Sequence, residues 1–300
     1  MFKGSNTALI TPFDKNGEID WKAFDNFIEW QIDQGSHGVV PCGTTGESPT
    51  VTHEEHKQIV KRCIDVVNKR IPVIAGTGSN STAEAIEFTQ EAKADGADAA
   101  LVVTPYYNKP TQAGMIAHYK AINDAVDIPM IIYNVPGRCI VDVSNETMVE
   151  LAKLSNVVGV KDATADLSRP LDLRGMIGEE FCQLSGEDAT ITAYLAQAGH
   201  GCISVTANVA PKLCSQLHEA WQAGDLEEMA RCRDLLAPLH DAMFVEPSPT
   251  PVKYAASRLG LCTDHVRLPL LEATAQCRQT VDDAMDFAGI TGNVAKVVSG

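Results

Sequence analysis

Five residues, Val157-Val158-Gly159-Val160-Lys161, form a short apolar run that ends in a lysine. Similar runs, rich in Val, Ile, Leu and Ala, recur at residues 7–11, 38–40, 72–75, 99–103, 130–133, 181–185 and 201–205. They carry almost no charge and are apolar on both faces, as parallel strands are when helices cover both sides of their sheet. The chain is therefore predicted to contain eight parallel strands.

The segments between these runs have the pattern of amphipathic helices. Residues 20–34 place large apolar side chains at helical spacing. Thr52 precedes Glu55 by three residues, and Ser81 precedes Glu84 in the same way, which is the spacing of a capping box at a helix N-terminus. Eight alternations of strand and helix predict an α/β fold, a closed (β/α)8 TIM barrel, rather than an open doubly wound sheet.

After about residue 209 the strand pattern stops. Helical patterns follow at residues 211–223, 226–240, 250–259 and 270–288. The first of these would supply the last helix of the barrel, and the others would extend beyond it. We therefore predict that residues 1–224 form the barrel that carries the active site and that residues 225–300 form a C-terminal helical extension.

The composition excludes several classes of protein. The 300 residues are 45% hydrophobic, enough for a substantial core, and their formal net charge of −15 argues against non-specific binding to nucleic acid or to an acidic membrane. Neither a signal peptide nor an apolar run of about 18 residues is visible, so no membrane span is expected. Nine scattered cysteines without a CxxC pair favour small buried thiols in a reducing cytoplasm.

The active site of such a barrel lies at the C-terminal ends of its strands, which is where Lys161 stands. Partial desolvation behind four apolar or small residues would favour the neutral amine that attacks a carbonyl. The alternative is a structural ion pair with Asp162 or another acidic residue at the barrel mouth. Tyr133 ends the preceding strand and could relay a proton beside that amine. Its alternative is a packed aromatic side chain with a satisfied hydroxyl.

Two further strand-end segments could bind a carboxylate. One is the loop CGTTGES at residues 42–48, whose glycines allow close approach of a ligand and whose threonines and amides can form an anion nest. The alternative is an ordinary turn that caps the following helix. The other is Arg138, which could hold a carboxylate through two parallel hydrogen bonds.

Two patterns point to other chemistry but do not meet its requirements. Gly76-Thr77-Gly78 begins like a dinucleotide fingerprint, yet it has no third glycine and follows the third strand. His53 and His56 share a helix face, but they do not form an HExxH motif and no third zinc ligand is evident. Neither a metal nor an organic cofactor is therefore expected.

Three segments together resemble the pyruvate-dependent class I aldolase superfamily, which includes N-acetylneuraminate lyase, and within it the dihydrodipicolinate synthase family. They are GTTGE at residues 43–47, YNVPGR at 133–138 and GVKDAT at 159–164. The resemblance covers residues 2–290, nearly the whole chain. It implies a lyase that condenses pyruvate with L-aspartate-4-semialdehyde through a Schiff base, giving 4-hydroxy-tetrahydrodipicolinate for diaminopimelate and lysine biosynthesis.

The resemblance also implies roles for single residues. Lys161 would form the imine with pyruvate, and Tyr133 would relay protons together with the Thr44 hydroxyl. Tyr107 would complete this relay from a neighbouring subunit, which requires an oligomer; the usual assembly is a homotetramer built from two tight dimers. The substrate-binding residues would be Thr45, Arg138, Gly186 and Ile203.

A second site for L-lysine, as a feedback inhibitor, is implied at positions that match those of inhibited synthases. These positions are Ser48, His53, His56, Asn80, Glu84 and Tyr106. Pro49 departs from the alanine that many relatives have there. The alternative is a set of exposed helix residues that bind no ligand.

Two other functions remain open at this point. One is a different pyruvate-dependent aldolase or lyase that acts on a sugar acid or a hydroxy-keto acid. Arg138 favours the synthase, because sugar-acid lyases typically differ at this position. The other is a non-catalytic barrel that only binds a small carboxylate, against which Lys161 beside a proton relay argues.

Overall fold

The computed structural model describes residues 2–292. The described chain divides into two compact units. The first unit comprises residues 2–3 and Pro72–Ile203, and the second comprises Gly4–Ile71 and residues 204–292. Residues 293–300 of the predicted C-terminal extension lie outside the described residues, and the predicted boundary at residue 224 stays a prediction.

Eight strands occur in the described part of the chain, each overlapping a predicted run. They are β1 (Gly4–Ala8), β2 (Gly38–Val40), β3 (Ile74–Gly76), β4 (Ala99–Val103), β5 (Met130–Asn134), β6 (Val157–Asp162), β7 (Cys182–Ser185) and β8 (Gly201–Ser204). They form one sheet in the order β2-β1-β8-β7-β6-β5-β4-β3. Eight parallel strands with helices between them confirm the predicted (β/α)8 barrel.

Twelve α-helices are found between residues 2 and 292. They are α1 (Trp21–Asp33), α2 (His53–Val67), α3 (Thr82–Asp95), α4 (Gln112–Ala125), α5 (Pro136–Cys139), α6 (Asn145–Leu151), α7 (Arg169–Ile177), α8 (Ile191–Ala196), α9 (Pro211–Ala223), α10 (Leu226–Ala242), α11 (Thr250–Arg258) and α12 (Ala275–Phe287). Within the same span, none of them is long and apolar enough to cross a membrane.

Strand β1 begins at Gly4, earlier than the predicted start at residue 7, and ends before residue 11. Its polar side chains are buried and bonded inside the second unit. The Thr7 hydroxyl donates to Gln31 Oε1 at 2.8 Å, and Gln31 Nε2 donates to the Ala207 carbonyl at 3.0 Å. The prediction followed hydrophobicity alone, so it missed the residues before Thr7, where the Ser5 amide donates to His37 Nδ1 at 3.0 Å and the Ser5 carbonyl accepts from the His37 amide at 2.9 Å.

The helix caps agree with the sequence in one case and only partly in another. Thr52 and Glu55 form the predicted capping box, with bonds of 3.2 and 2.7 Å between side chains and backbone amides. Ser81 caps α3 by accepting from the Glu84 amide. The second predicted box is not completed, because the Ser81 amide donates to Ser79 Oγ and the Glu84 carboxylate binds the Ser79 hydroxyl.

The last described helix begins at Ala275, five residues after the predicted start at 270. Thr274 fixes this start, because its hydroxyl oxygen accepts from the Cys277 amide at 3.2 Å and its hydroxyl donates to Glu246 Oε1 at 2.5 Å. The local cap therefore overrides the apolar periodicity that continues before it.

The core of the first unit lies on one face of β4, β5 and β6. Val102, Ile132 and Val160 are fully buried neighbours at the same level of the sheet. Tyr119 of α4 packs in the same cluster and donates its hydroxyl to the Val102 carbonyl at 3.2 Å. Because successive side chains alternate between faces, the next residues, among them Lys161, point to the opposite face.

Strands β6 and β7 approach closely at Gly159. A Cβ atom at this position would lie 2.3 Å from the carbonyl oxygen of Cys182, its register partner, and 2.6 Å from the Cys182 Cβ. The glycine, two residues before Lys161, thus allows the spacing of the two strands.

We expect the substitution Gly159→Ala to lower the free energy of unfolding by about 1–3 kcal/mol, because the backbone of β7 must move to admit the methyl group. Urea unfolding measures this loss. Gly175→Ala in α7 is the control, since its Cβ would meet no atom within 4 Å; it should leave stability unchanged or raise it by about 0.5–1 kcal/mol. Equal unfolding midpoints for Gly159→Ala and the natural chain would contradict the prediction.

Candidate active site

The structure places Lys161 and Tyr133 side by side at the C-terminal ends of β6 and β5. They are register partners across the parallel pair. The Lys161 Nζ lies 4.1 Å from the centroid of the Tyr133 ring, and the two residues are only 6% and 8% exposed. A buried amine beside a phenol combines a nucleophile with a group that can transfer protons.

The alternative ion pair of Lys161 with Asp162 is not formed. Asp162 lies 3.1 Å from Arg169 Nε and accepts hydrogen bonds from the amide and hydroxyl of Thr164 at 2.8 and 2.6 Å. Within residues 2–292, no carboxylate lies within ion-pair distance of the Lys161 amine. The amine is therefore buried without the partner that would hold it as a structural cation.

A polar network beneath the strand ends fixes the residues that follow Tyr133 and Lys161. Arg169 binds both Asp162 and Asp142 at 3.1 Å, and Asn134 Nδ2 donates to Asp142 Oδ1 at 2.7 Å. Burial raises the pKa of Asp162, whereas the Thr164 hydrogen bonds and the charge of Arg169 act in the opposite direction. Sequence reasoning missed Arg169 and Asp142, because both lie in loops and helix starts that carry no recognisable motif.

Gly186 follows β7 and borders the lysine. A Cβ atom there would lie 3.1 Å from Lys161 Cε and 2.7 Å from the Ala163 Cβ. The backbone amide of Gly186 donates to the Asp162 carbonyl at 2.6 Å. The structure thus brings Gly186, one of the predicted substrate-binding residues, against the lysine side chain.

The charge around the lysine includes Glu187, which sequence reasoning did not single out. Burial and the neighbouring Asp188 raise the pKa of Glu187, whereas the positive charges of Lys161 and Arg138 lower it. In the sequence, only the position of Glu187 directly after Gly186 indicates that it lies near the site. A proton held on a carboxyl group here would add to the acid–base capacity of the strand ends.

The other predicted residues of the first unit differ in exposure. Ile203 in β8 is buried, whereas Arg138 in α5 is exposed to solvent. Tyr107 is 90% exposed and has a φ of 71°, in the left-handed region. Arg138 is therefore open to a ligand, and the Tyr107 side chain is open to solvent.

Thr44 and Thr45 belong to the second unit, in the segment 43–47, which we call the threonine loop. The loop closes on itself, because the amides of Gly46 and Glu47 donate to the carbonyls of Gly43 and Thr44, each at 3.1 Å. Thr45 is buried and Thr44 is half-buried. The approach of these threonines to Lys161 stays a prediction.

Three of the residues predicted to bind lysine lie close together in the first unit. Asn80 Nδ2 donates to the Tyr106 carbonyl at 3.1 Å, and the Asn80 carbonyl accepts from Asn108 Nδ2 at 2.8 Å. The Glu84 carboxylate accepts from the Ser79 hydroxyl. These bonds order the start of α3 and the backbone of Tyr106 around one polar patch.

The remaining three predicted lysine-binding residues lie in the second unit. Ser48 opens a short 3-10 turn, and the exposed His53 is the first residue of α2. His56 is buried on the same helix. Within the described part of the chain no group of three metal-binding side chains occurs.

Cys42, which precedes the threonine loop, and Cys139, in α5, are both buried. Burial raises the pKa of the Cys42 thiol, and it raises that of Cys139 as well. Because the thiolate is the reactive form, a raised pKa suppresses nucleophilic chemistry at both sulfurs. These side chains act as small apolar groups.

Comparisons with known proteins agree with this geometry. The family model described as Dihydrodipicolinate synthetase family matches residues 1–288. A relative from Rhodospirillum centenum, named 4-hydroxy-tetrahydrodipicolinate synthase, is 64% identical over 290 residues, which cover 97% of this chain and 99% of the relative. The chloride-inhibited dihydrodipicolinate synthase of Acinetobacter baumannii, solved in complex with pyruvate, is 48% identical with a TM-score of 0.94 and covers 97% of this chain and 100% of its own.

A third similar protein was solved with lysine bound. It is the dihydrodipicolinate synthase of Cyanidioschyzon merolae, which is 36% identical to this chain with a TM-score of 0.93. The match covers 96% of this chain and 99% of that one.

The contact between Gly186 and Lys161 predicts that a methyl group added at residue 186 disturbs the lysine side chain. Gly186→Ala should push the lysine side chain out of place and slow its reaction with pyruvate by about tenfold or more. Borohydride trapping of the imine, followed by mass spectrometry, measures the rate. Gly137→Ala is the control, because its added Cβ meets no atom within 4 Å. An unchanged trapping rate for a folded Gly186→Ala variant would show that the contact is unimportant.

Proposed function

The chain belongs to the dihydrodipicolinate synthetase family, and we propose that it condenses pyruvate with L-aspartate-4-semialdehyde to give 4-hydroxy-tetrahydrodipicolinate. The observation that carries this proposal is the buried Lys161 amine, 4.1 Å from the Tyr133 ring and without a carboxylate partner among the described residues. The reaction is a step of lysine and diaminopimelate biosynthesis.

The first half of the reaction takes place on the lysine. The neutral Lys161 amine attacks the ketone carbon of pyruvate, and the carbinolamine loses water to give a protonated imine. Tyr133, with the Thr44 hydroxyl, supplies and removes the protons that these steps need. The imine then acts as the electron sink for loss of a methyl proton, which leaves an enamine. Because this sink is formed by the protein itself, the steps require no metal and no organic cofactor.

The second half joins the acceptor to the enamine. The enamine carbon attacks the aldehyde carbon of L-aspartate-4-semialdehyde, and the carboxylate of that substrate binds the exposed Arg138 guanidinium. The amino group of the substrate then replaces the lysine at the imine carbon, which closes the ring and frees Lys161. Thr45, with its amide, holds the pyruvate carboxylate, and Gly186 and Ile203 contribute backbone groups to the pocket.

A neighbouring subunit completes the proton relay in this proposal. Tyr107 is 90% exposed, so its phenol is available to a neighbouring subunit. A homotetramer built from two tight dimers would allow Tyr107 of one subunit to enter the site of another. Nine cysteines without a disulfide suit a reducing compartment such as the cytoplasm.

L-lysine is proposed to inhibit the enzyme at a second site. The support is the polar patch around Asn80, Tyr106 and Glu84, together with the solved relative that has lysine bound. The Glu84 carboxylate suits the amino group of lysine. Ser48, His53 and His56 are proposed to complete this site.

Pyruvate and borohydride should label the natural chain at Lys161. The label should disappear in Lys161→Ala, because this variant lacks the buried amine beside Tyr133 that forms the imine. Tryptic mass spectrometry locates the label. Lys153→Ala is the matched control, because Lys153 is exposed and pairs only with Glu150 on the surface among the described residues. Labelling at a different lysine in the Lys161→Ala variant would refute the assignment of the nucleophile.

Turnover with L-aspartate-4-semialdehyde tests the acceptor in the same preparation. Condensation coupled to the reductase that consumes the product should be readily measured. Imine trapping without condensation would exclude the synthase and indicate a lyase for a sugar acid or hydroxy-keto acid. Absence of both would indicate a barrel that only binds carboxylates.

Added L-lysine should lower this turnover, and Glu84→Gln should raise the lysine concentration needed for half inhibition by about tenfold, since one charge-assisted bond to the inhibitor is lost. Glu87→Gln on the exposed face of the same helix is the control and should leave inhibition unchanged. Turnover that is insensitive to lysine in the natural chain would remove the regulatory site and keep the enzyme.

A further inference from the structure

The residues at the two ends of the threonine loop have left-handed backbone conformations, which their surroundings must stabilise. Cys42 precedes the loop with a φ of 55°, and Glu47 ends it with a φ of 57°. Residues with a Cβ adopt this region only where their surroundings hold them there. On one side, the Thr11 hydroxyl donates to the Gly46 carbonyl at 2.7 Å. The other side is held through the Glu47 side chain.

Both carboxylate oxygens of Glu47 are bound by the C-terminal part of the second unit. Oε1 accepts from Lys253 Nζ at 2.5 Å, and Oε2 accepts from the Arg267 amide at 2.9 Å. Glu47 is only 2% exposed. The carboxylate is therefore removed from water and depends on these two donors for its stability.

Lys253 of α11 is entirely buried, with 0% exposure. Besides Glu47 its Nζ donates to the His265 carbonyl at 2.8 Å, and it lies 4.0 Å from the centroid of the Phe13 ring. Burial lowers the pKa of Lys253, and the charge of Glu47 opposes that effect. Separation of two such buried charges leaves each without its counter-charge, so the contact restrains Glu47 strongly.

The segment that meets Glu47 is itself anchored. The Arg267 guanidinium binds both oxygens of Glu55 at 2.8 and 2.6 Å and holds the pKa of Glu55 at about 2. It also donates to the carbonyls of Gly17 and Thr50 at 2.9 Å. The segment around Arg267 therefore offers Glu47 a fixed rather than a mobile partner.

We propose that Lys253 is a positioning residue for the pyruvate half of the reaction, because its bond to Glu47 fixes the threonine loop in the conformation that presents Thr44 and Thr45. The inference rests on the proposed function of those two threonines. Glu47 is two residues from Thr45, and its amide donates to the Thr44 carbonyl at 3.1 Å. A shift of Glu47 therefore passes directly to both threonines. Lys253 itself touches no substrate.

The test compares the two half-reactions in Lys253→Met, which keeps much of the side-chain volume and removes the charge. The two substrates react in separate covalent steps, so each kcat/KM reports its own half-reaction. The value for pyruvate should fall by about tenfold or more, whereas that for L-aspartate-4-semialdehyde should stay within about threefold. The pyruvate concentration for half-maximal imine trapping should rise in parallel.

Two further variants separate positioning from general damage. Tyr254→Phe changes the next residue of α11 and removes a 3.0 Å bond from the Tyr254 hydroxyl to Asp282; it should change neither kcat/KM value. Glu47→Gln keeps the shape of the loop residue but gives Lys253 a neutral acceptor, and it should reproduce the selective fall for pyruvate. If Lys253→Met does not fold, Glu47→Gln decides the question.

The outcomes distinguish this inference from the proposed function. A natural chain that traps no pyruvate would refute the function, and the inference would fall with it. A natural chain that traps pyruvate, with folded variants whose pyruvate kcat/KM is unchanged, would overturn the inference alone. An equal fall for both substrates would also overturn it, because a general loss of structure does not distinguish the half-reactions.

Discussion

The register between β5 and β6 is the constraint on which the candidate site depends. It makes Tyr133 and Lys161 partners, while Ile132 and Val160, one residue earlier, are partners on the opposite face and belong to the core. A slip of one residue in β6 would place the Lys161 amine in that core and an aliphatic side chain at the site, and a slip in β5 would do the same to the Tyr133 phenol. The apolar packing that stabilises the first unit therefore also determines where the reactive groups stand.

The polar network around Arg169 explains how the strand ends remain fixed at a place where the apolar core ends. Asn134 and Asp162 directly follow Tyr133 and Lys161. The ends of β5 and β6 are joined through Asp142, which accepts from Asn134, and Arg169, which pairs with both Asp142 and Asp162. Arg169 donates two hydrogen bonds to Asp142 at 3.1 Å and forms an ion pair with Asp162 at 3.1 Å, so it limits the separation of the strand ends. Asp162 thereby serves the site by pairing with Arg169 instead of with the lysine.

The sequence predicted the features that follow from local patterns. The eight strands, the Thr52 capping box and the position of Lys161 at a strand end all follow from periodicity and spacing. It failed where a polar side chain is satisfied by a distant partner. The missed start of β1 contains Ser5, whose amide and carbonyl are both bonded to His37, 32 residues away, and Arg169 acquires its role through partners 7 and 27 residues away. Such partners follow from the folded chain and from no local motif.

Two buried lysines in this chain have opposite chemistry, and their surroundings explain the difference. The Lys253 nitrogen donates to the Glu47 carboxylate and to a backbone carbonyl, and it faces the Phe13 ring. This nitrogen is engaged as a donor to a buried carboxylate, so it serves to hold Glu47 and not to attack a carbonyl carbon. Lys161 is also buried, but among the described residues it has no carboxylate within ion-pair distance; its nitrogen lies over the Tyr133 ring, and Gly186 borders its side chain. A buried lysine paired with an acid is suited to hold structure, whereas a buried lysine beside a phenol and without an ion-pair partner is suited to act as a nucleophile.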